Sequence, residues 1–289
     1  MSDQIVTRIA GVVFGISSDR PLSQIRFDES YQDFYWHGEP EVTIQARYGA
    51  LPPIALRDED RVFDSEKVWS LYRSGGADIL ALRSPIFGPQ PYRVALFRDN
   101  FRHGEVYSQP HPGGQADGAL LSDPLEFPLA EVLMVCLMAQ GRGLMVHACG
   151  LDDGGRGYLF AGNSTHGKST MAGIWRDEAT VLNDDRIVLR WREGRFWMYG
   201  TPWHGDYTGV SPMGLPLEKI FFLRHAADNQ LRQVDGTAAA SMLLARSFLP
   251  LWDAGGMAFS LDFCARVAQA VPCYELGFVP DHDVIDFVR

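Results

Sequence analysis

The sequence is short of positive charge. Its 26 Lys and Arg stand against 36 Asp and Glu, a formal net charge of -10, and acids outnumber bases on both sides of residue 120. No basic stripe of the kind that tracks a phosphodiester backbone is present, so nucleic acid and anionic membrane are excluded as electrostatic partners. Cysteine is scarce too. Cys136, Cys149, Cys264 and Cys273 lie in apolar surroundings without C-x-x-C spacing, which reads as buried thiols and not as metal ligands or disulfides. Long apolar runs are missing: the longest, at 132–139, stops at Gln140-Gly141-Arg142, well short of a membrane span. Met1-Ser2-Asp3-Gln4 lacks the basic and apolar segments of a signal peptide. Repeats and low-complexity tracts are absent. The expectation is a cytoplasmic globular protein, whose 289 residues suffice for two domains with substantial cores.

Residues 1–108 read as short strands between turns. Ile9-Ala10-Gly11-Val12-Val13-Phe14-Gly15-Ile16 is one β-rich apolar run, and Val42-Thr43-Ile44-Gln45-Ala46-Arg47-Tyr48 alternates with the period of a half-buried strand. Runs at 68–72 and 79–82 flank Ser74-Gly75-Gly76 as a hairpin. The Pro/Gly-rich stretch 109–118 has linker composition. It divides the chain into a β-rich N-terminal domain over 1–120 and a second domain over 121–289. A helix capped by Ser122 or Asp123 and running to about Gln140 opens the second domain, with Leu125, Leu129, Val132, Leu133, Cys136 and Leu137 on one core-facing side.

The second domain is organised around Gly162-Asn163-Ser164-Thr165-His166-Gly167-Lys168-Ser169-Thr170, which matches the phosphate-binding pattern G-x-x-x-x-G-K-[ST]. Gly157-Tyr158-Leu159-Phe160-Ala161 before it reads as a buried strand, and the segment from Lys168 onward as a helix. Strand, loop and helix N-terminus together let backbone N–H groups and the helix dipole hold a polyphosphate. Downstream, Thr180-Val181-Leu182-Asn183 is a short strand ending in Asp184-Asp185, where a magnesium-holding aspartate belongs. A strand, a turn at Arg192-Glu193-Gly194 and another strand follow in place of a helix, which predicts a mixed sheet. Helices over 237–248 and 254–267 and a closing strand over 273–278 complete the pattern.

These residue types suit phosphoryl transfer. Backbone N–H groups of the loop would hold the β-phosphate of ATP or another nucleoside triphosphate, and Lys168 would neutralise the β- and γ-oxygens. The Ser169 hydroxyl and one of Asp184 and Asp185 would hold Mg²⁺, and the other aspartate would take the acceptor's proton. Adjacent carboxylates titrate as a pair, so the residues alone leave base and ligand unassigned. His166 is expected to point outward from the loop. Trp203, His204 and Asp206 form either an acceptor-binding element or a packed turn. Arg224 and Arg246 are candidates for neutralising transition-state charge.

With Val146-His147-Ala148-Cys149-Gly150-Leu151 upstream, the loop and Leu182-Asn183-Asp184-Asp185-Arg186 resemble bacterial HPr kinase/phosphorylase and, more distantly, phosphoenolpyruvate carboxykinase. The resemblance covers roughly residues 125–225. It implies an α/β fold with a mixed-sheet P-loop core of that type, a catalytic role for His147 in orienting the acids, Asp184 as base, and Asp185 beside Ser169 at the metal. The family's loop is usually Gly-Asp-Ser-Gly-x-Gly-Lys-Ser, whereas Asn163 and Thr165 stand here. Its second signature, an Arg-Gly-Leu-Gly run, is replaced by Tyr199-Gly200-Thr201-Pro202-Trp203-His204-Gly205-Asp206. The chain is therefore more similar to stand-alone HPr-kinase-like proteins, such as lasso precursor-peptide kinases, than to HPr kinase. The resulting expectation is an ATP-dependent kinase acting on a hydroxyl, foremost a serine of a peptide or protein. A kinase of a small hydroxylated metabolite and a non-catalytic nucleotide sensor are the alternatives, and a homo-oligomer stays open.

Overall fold

The computed structural model describes residues 4–110, 120–163 and 165–289. The chain is mixed α/β with a β-rich N-terminal region and divides into two compact units, Met1–Leu137 and Met138–Arg289. The stretch with linker composition lies largely outside the described residues, and the division falls beyond it.

The first unit contains β1 (Ile5–Ile9), β2 (Val12–Ser18), β3 (Ile25–Arg26), β4 (Val42–Tyr48), β5 (Arg61–Asp64), β6 (Trp69–Ser74), β7 (Ala77–Leu82), β8 (Arg93–Arg98), β9 (His103–Ser108) and β10 (Leu121–Ser122), with helix α1 (Leu129–Met138) at its end. Eight strands form one sheet in the order β1-β2-β4-β9-β8-β7-β6-β5. Strand β4 buries Val42, Ile44, Ala46 and Tyr48 on one face, as its alternation predicts. The run at 9–16 is not one strand. Ala10 and Gly11 take φ of 49° and 78° and fold it into the β1–β2 hairpin, because two left-handed residues match the twist of paired strands. The Gly75-Gly76 hairpin is present, joining β6 to β7.

The helix predicted from Ser122 or Asp123 starts only at Leu129. Asp123 Oδ1 accepts the Leu125 amide at 2.8 Å in a turn of its own, and Pro128, which has no N–H, directly precedes the helix. Every residue of α1 is buried, where the pattern predicted a single buried face. Its sequence Leu-Ala-Glu-Val-Leu-Met-Val-Cys-Leu-Met is apolar almost all round, as fully buried helices are.

The second unit contains β11 (Leu144–Asp153), β12 (Arg156–Ala161), α2 (Lys168–Trp175), β13 (Thr180–Asn183), β14 (Arg186–Arg192), β15 (Arg195–Tyr199), β16 (Gly214–His225), β17 (Gln230–Gln233), α3 (Gly236–Leu244), α4 (Ala254–Ala270), β18 (Cys273–Phe278) and α5 (Asp283–Val288). Its sheet mixes parallel pairs, β12–β16 and β16–β18, with antiparallel ones. The hydrogen-bonded path closes on itself through β11, β12, β16, β15 and β14. One apolar layer packs Val146, Leu159, Ile220 and Phe222 against Leu243 of α3 and Phe263 and Val267 of α4. The other packs Cys149, Phe160, Phe221 and Leu223 against Met171 and Trp175 of α2 and Val284 and Ile285 of α5. Alternate residues of β11, β12 and β16 thus serve opposite layers, the period-two rule that fixes strand register. No helix among the described residues is long and apolar enough to cross a membrane.

Asp123 makes the first unit sensitive to pH. Burial pushes its carboxyl up to about 6, although the Leu125 amide and the Arg93 charge favour the ionised form. Between the unfolded value near 4 and this folded one, the native state holds a proton that the unfolded chain has lost, so stability falls as pH rises through the window. From pH 5 to pH 7 this one group should remove roughly 1 kcal/mol. Urea denaturation at the two pH values should show a smaller loss in Asp123→Asn, which keeps the acceptor for Leu125 but does not titrate.

Candidate functional site

The motif loop leaves the sheet after Ala161, at the end of β12, and enters α2 at Lys168. Gly167 is the N-cap of that helix at φ 89°, with the Phe278 ring against its α-carbon; a β-carbon there would come within 2.7 Å of Phe278 Cζ. Both the left-handed backbone and the contact require glycine. Within the loop the exposed Asn163 offers its carbonyl to Lys168 Nζ and to the His166 amide, each at 3.1 Å. Gly162 is buried and Thr170 exposed, Thr165 has φ 71°, and Ser164 lies outside the described residues. Lys168 is 6% exposed. Burial pushes its ammonium below the ordinary lysine range, while Asp185, Asp184, Cys149 and Asp206 pull it back up.

His166 does not simply face solvent. It is half-buried, and its Nδ1 reaches the Leu223 carbonyl at 3.1 Å, so the loop is fastened to β16 through a side chain expected to be free.

The two acids occupy a break in one strand line. Gly150 of β11 pairs with Asn183 of β13 and His147 with Arg186 of β14. Both pairs hold the same register, so Asp184-Asp185 interrupts a continuous pairing. Asn183 fixes the break: its Oδ1 accepts the amides of Asp185 and Arg186 at 2.7 Å each, and its Nδ2 donates to Thr201 O at 2.9 Å. This is an Asx turn, in which the asparagine side chain bonds the backbone in place of the strand ladder.

Asp184 is fully buried. Its Oδ2 accepts the Ser169 hydroxyl at 2.5 Å and the Tyr207 amide at 3.0 Å, and its Oδ1 accepts the Gly205 amide at 2.6 Å. The last contact needs a glycine, since a β-carbon at 205 would stand 2.9 Å from Oδ2. Asp185 is more open and meets other partners: His147 Nε2 at 2.7 Å and the Arg186 guanidinium. Burial raises its carboxyl, but the His147 hydrogen bond and the charges of Arg186, His147 and Lys168 outweigh that and hold it below the ordinary carboxylate range. Ser169 therefore touches Asp184 and not Asp185, the member that the resemblance paired with it at the metal.

Around this centre, Trp203 is buried, His204 Nδ1 donates to Gly205 O at 2.9 Å, and the exposed Asp206 is close enough to act on Lys168. The chain after β15 thus meets Asp184 through its backbone, at Gly205 and Tyr207. Arg224 is engaged by Glu275 at 3.0 Å and Gln230 at 2.5 Å, whereas Arg246 is half-buried over the Phe222 ring and donates to Met242 O at 2.8 Å. Sequence reading gave no role to Asn183, Arg186, Gly205 or Tyr207. Asn183, a residue type whose side chain readily bonds the backbone just after it, was the one local signal for any of them.

Because Asp184 receives three donors, an amide at this position must set its own N–H against at least one of them. Asp184→Asn should lower the unfolding free energy by about 1–3 kcal/mol, the cost of one buried donor left unsatisfied, read as a shift of the urea midpoint.

No family model matches this chain, and no curated protein matches it significantly.

Proposed function

We propose that the chain is an ATP-dependent kinase that transfers the γ-phosphoryl group to a hydroxyl, with a serine of a peptide or protein as the favoured acceptor, on a P-loop core of the HPr kinase type. The observation that carries this reading is the 2.5 Å bond from Ser169 Oγ to the fully buried Asp184. It joins the hydroxyl that ends the motif loop to the acid that follows the next strand, the two oxygen donors such enzymes use for magnesium. Both are hard oxygen ligands suited to Mg²⁺, which when bound would neutralise charge on the phosphate oxygens.

The remaining roles follow from partners and exposure. We assign Asp184 with Ser169 to the metal and Asp185 to proton transfer, the reverse of what the resemblance implied. Asp184 has both oxygens committed in a dry environment, while Asp185 and His147 form a pair that is 18% and 24% exposed. The acceptor oxygen attacks the γ-phosphorus, the bond from that phosphorus to the β,γ-bridging oxygen breaks, and ADP leaves with the electron pair. The hydroxyl proton passes to the Asp185–His147 pair. The His147 hydrogen bond and the Arg186 charge keep Asp185 ionised and oriented, and Lys168 with the loop amides carries charge on the β- and γ-oxygens.

Lys168→Ala should abolish Mg-ATP binding in calorimetry; a variant that binds as tightly as the parent removes the site assignment. Asp185→Asn should keep binding and lose transfer by roughly 10²–10⁴-fold, the usual weight of a proton-transfer group. The acceptor class is read by incubating the protein with γ-labelled ATP and extract. Label in peptide supports the favoured acceptor, label confined to small molecules points to a metabolite kinase, and no label in any fraction leaves a nucleotide sensor.

A further inference from the structure

Thr165 sits in the motif loop at φ 71°, in the left-handed region that a β-branched residue rarely enters. Such a conformation persists only when its surroundings over-determine it. Two histidines that the phosphoryl-transfer reading leaves without a role bond between this loop and the neighbouring strand. His225 Nε2 lies 2.8 Å from Thr165 O, and His166 Nδ1 lies 3.1 Å from Leu223 O. Both acceptors are carbonyls, so the ring protons must sit on Nε2 of His225 and Nδ1 of His166. The rings stand edge to face with centroids 6.0 Å apart. Leu223 and His225 lie at the end of β16, and the residue before Leu223, Phe222, pairs with Ala161 directly ahead of the loop. The two bonds cross in opposite directions, one from strand to loop and one from loop to strand. They tie the crown of the loop to the strand beside the one it springs from.

We infer that His225, acting with His166, is a positioning residue that clamps the strained Thr165 carbonyl and holds the loop in its phosphate-binding shape. The inference rests on the nucleotide-binding reading of the loop and gives His225 no part in the chemistry. A glycine at 165 would reach the same φ without a β-carbon penalty and would need no clamp.

The test is Mg-ATP affinity of the full chain by calorimetry, with thermal melting followed in parallel. His225→Ala should bind about tenfold more weakly, equivalent to about 1.4 kcal/mol, with little change in kcat at saturating ATP. His225→Gln keeps a donor at the position of Nε2 and should recover most of the loss. Thr165→Gly placed in the His225→Ala background should do the same, a rescue that a purely structural role for the histidine would not produce. Unchanged affinity in His225→Ala overturns the inference, as does a loss that neither Gln nor Thr165→Gly recovers. Lys168→Ala separates the two levels. Binding lost there but unaltered in His225→Ala removes the clamp and leaves the phosphate site, whereas binding unaltered in Lys168→Ala removes both.

Discussion

Asp184 holds three separate parts of the second unit at one point. Helix α2 reaches it through the Ser169 hydroxyl, and the segment after β15 reaches it through the amides of Gly205 and Tyr207. Its own backbone is fixed by Asn183 in the break between β13 and β14. A buried carboxylate is costly unless its oxygens are satisfied, so all of these elements must be in place together. The same requirement puts Lys168, Ser169, Asp185 and His147 within one small region, although they come from helix α2, strand β11 and the break between β13 and β14.

The adjacent acids differ in environment, and that difference is the chemical content of the site. Asp184 is enclosed and meets only neutral donors, whereas Asp185 is more accessible and sits between the His147 ring and the Arg186 guanidinium. Two carboxylates in sequence thereby become two functional groups. In the proposed kinase, one serves the metal and the other the proton. The Asx turn at Asn183 fixes the backbone from which the two side chains reach these separate partners.

Much of this arrangement was legible in residue order. The strand before the loop, the helix from Lys168, the strand before the acids and the two strands after them are all present, because each is a short apolar run bounded by turn residues. The β1–β2 hairpin was not legible, since Ala10 is no turn signal. The late start of α1 was hidden as well, because Asp123 caps a turn in place of the helix. His166 looked free because nothing local marks the Leu223 carbonyl as its partner.

By itself the sequence determined most of the candidate centre's inventory by local pattern: the glycine-rich loop, its lysine and serine, and the paired acids; the upstream histidine entered only through the family resemblance. It also determined which side chains could line the two apolar layers, through the period-two alternation of β11, β12 and β16. Only the tertiary structure decided which acid faces which partner. That choice depends on hydrogen bonds from Ser169, Gly205 and Tyr207 on one side and from His147 on the other, contacts between segments far apart in the chain. Local pattern specifies conformation, but partnership is set where non-local segments meet and buried polar atoms must all be satisfied.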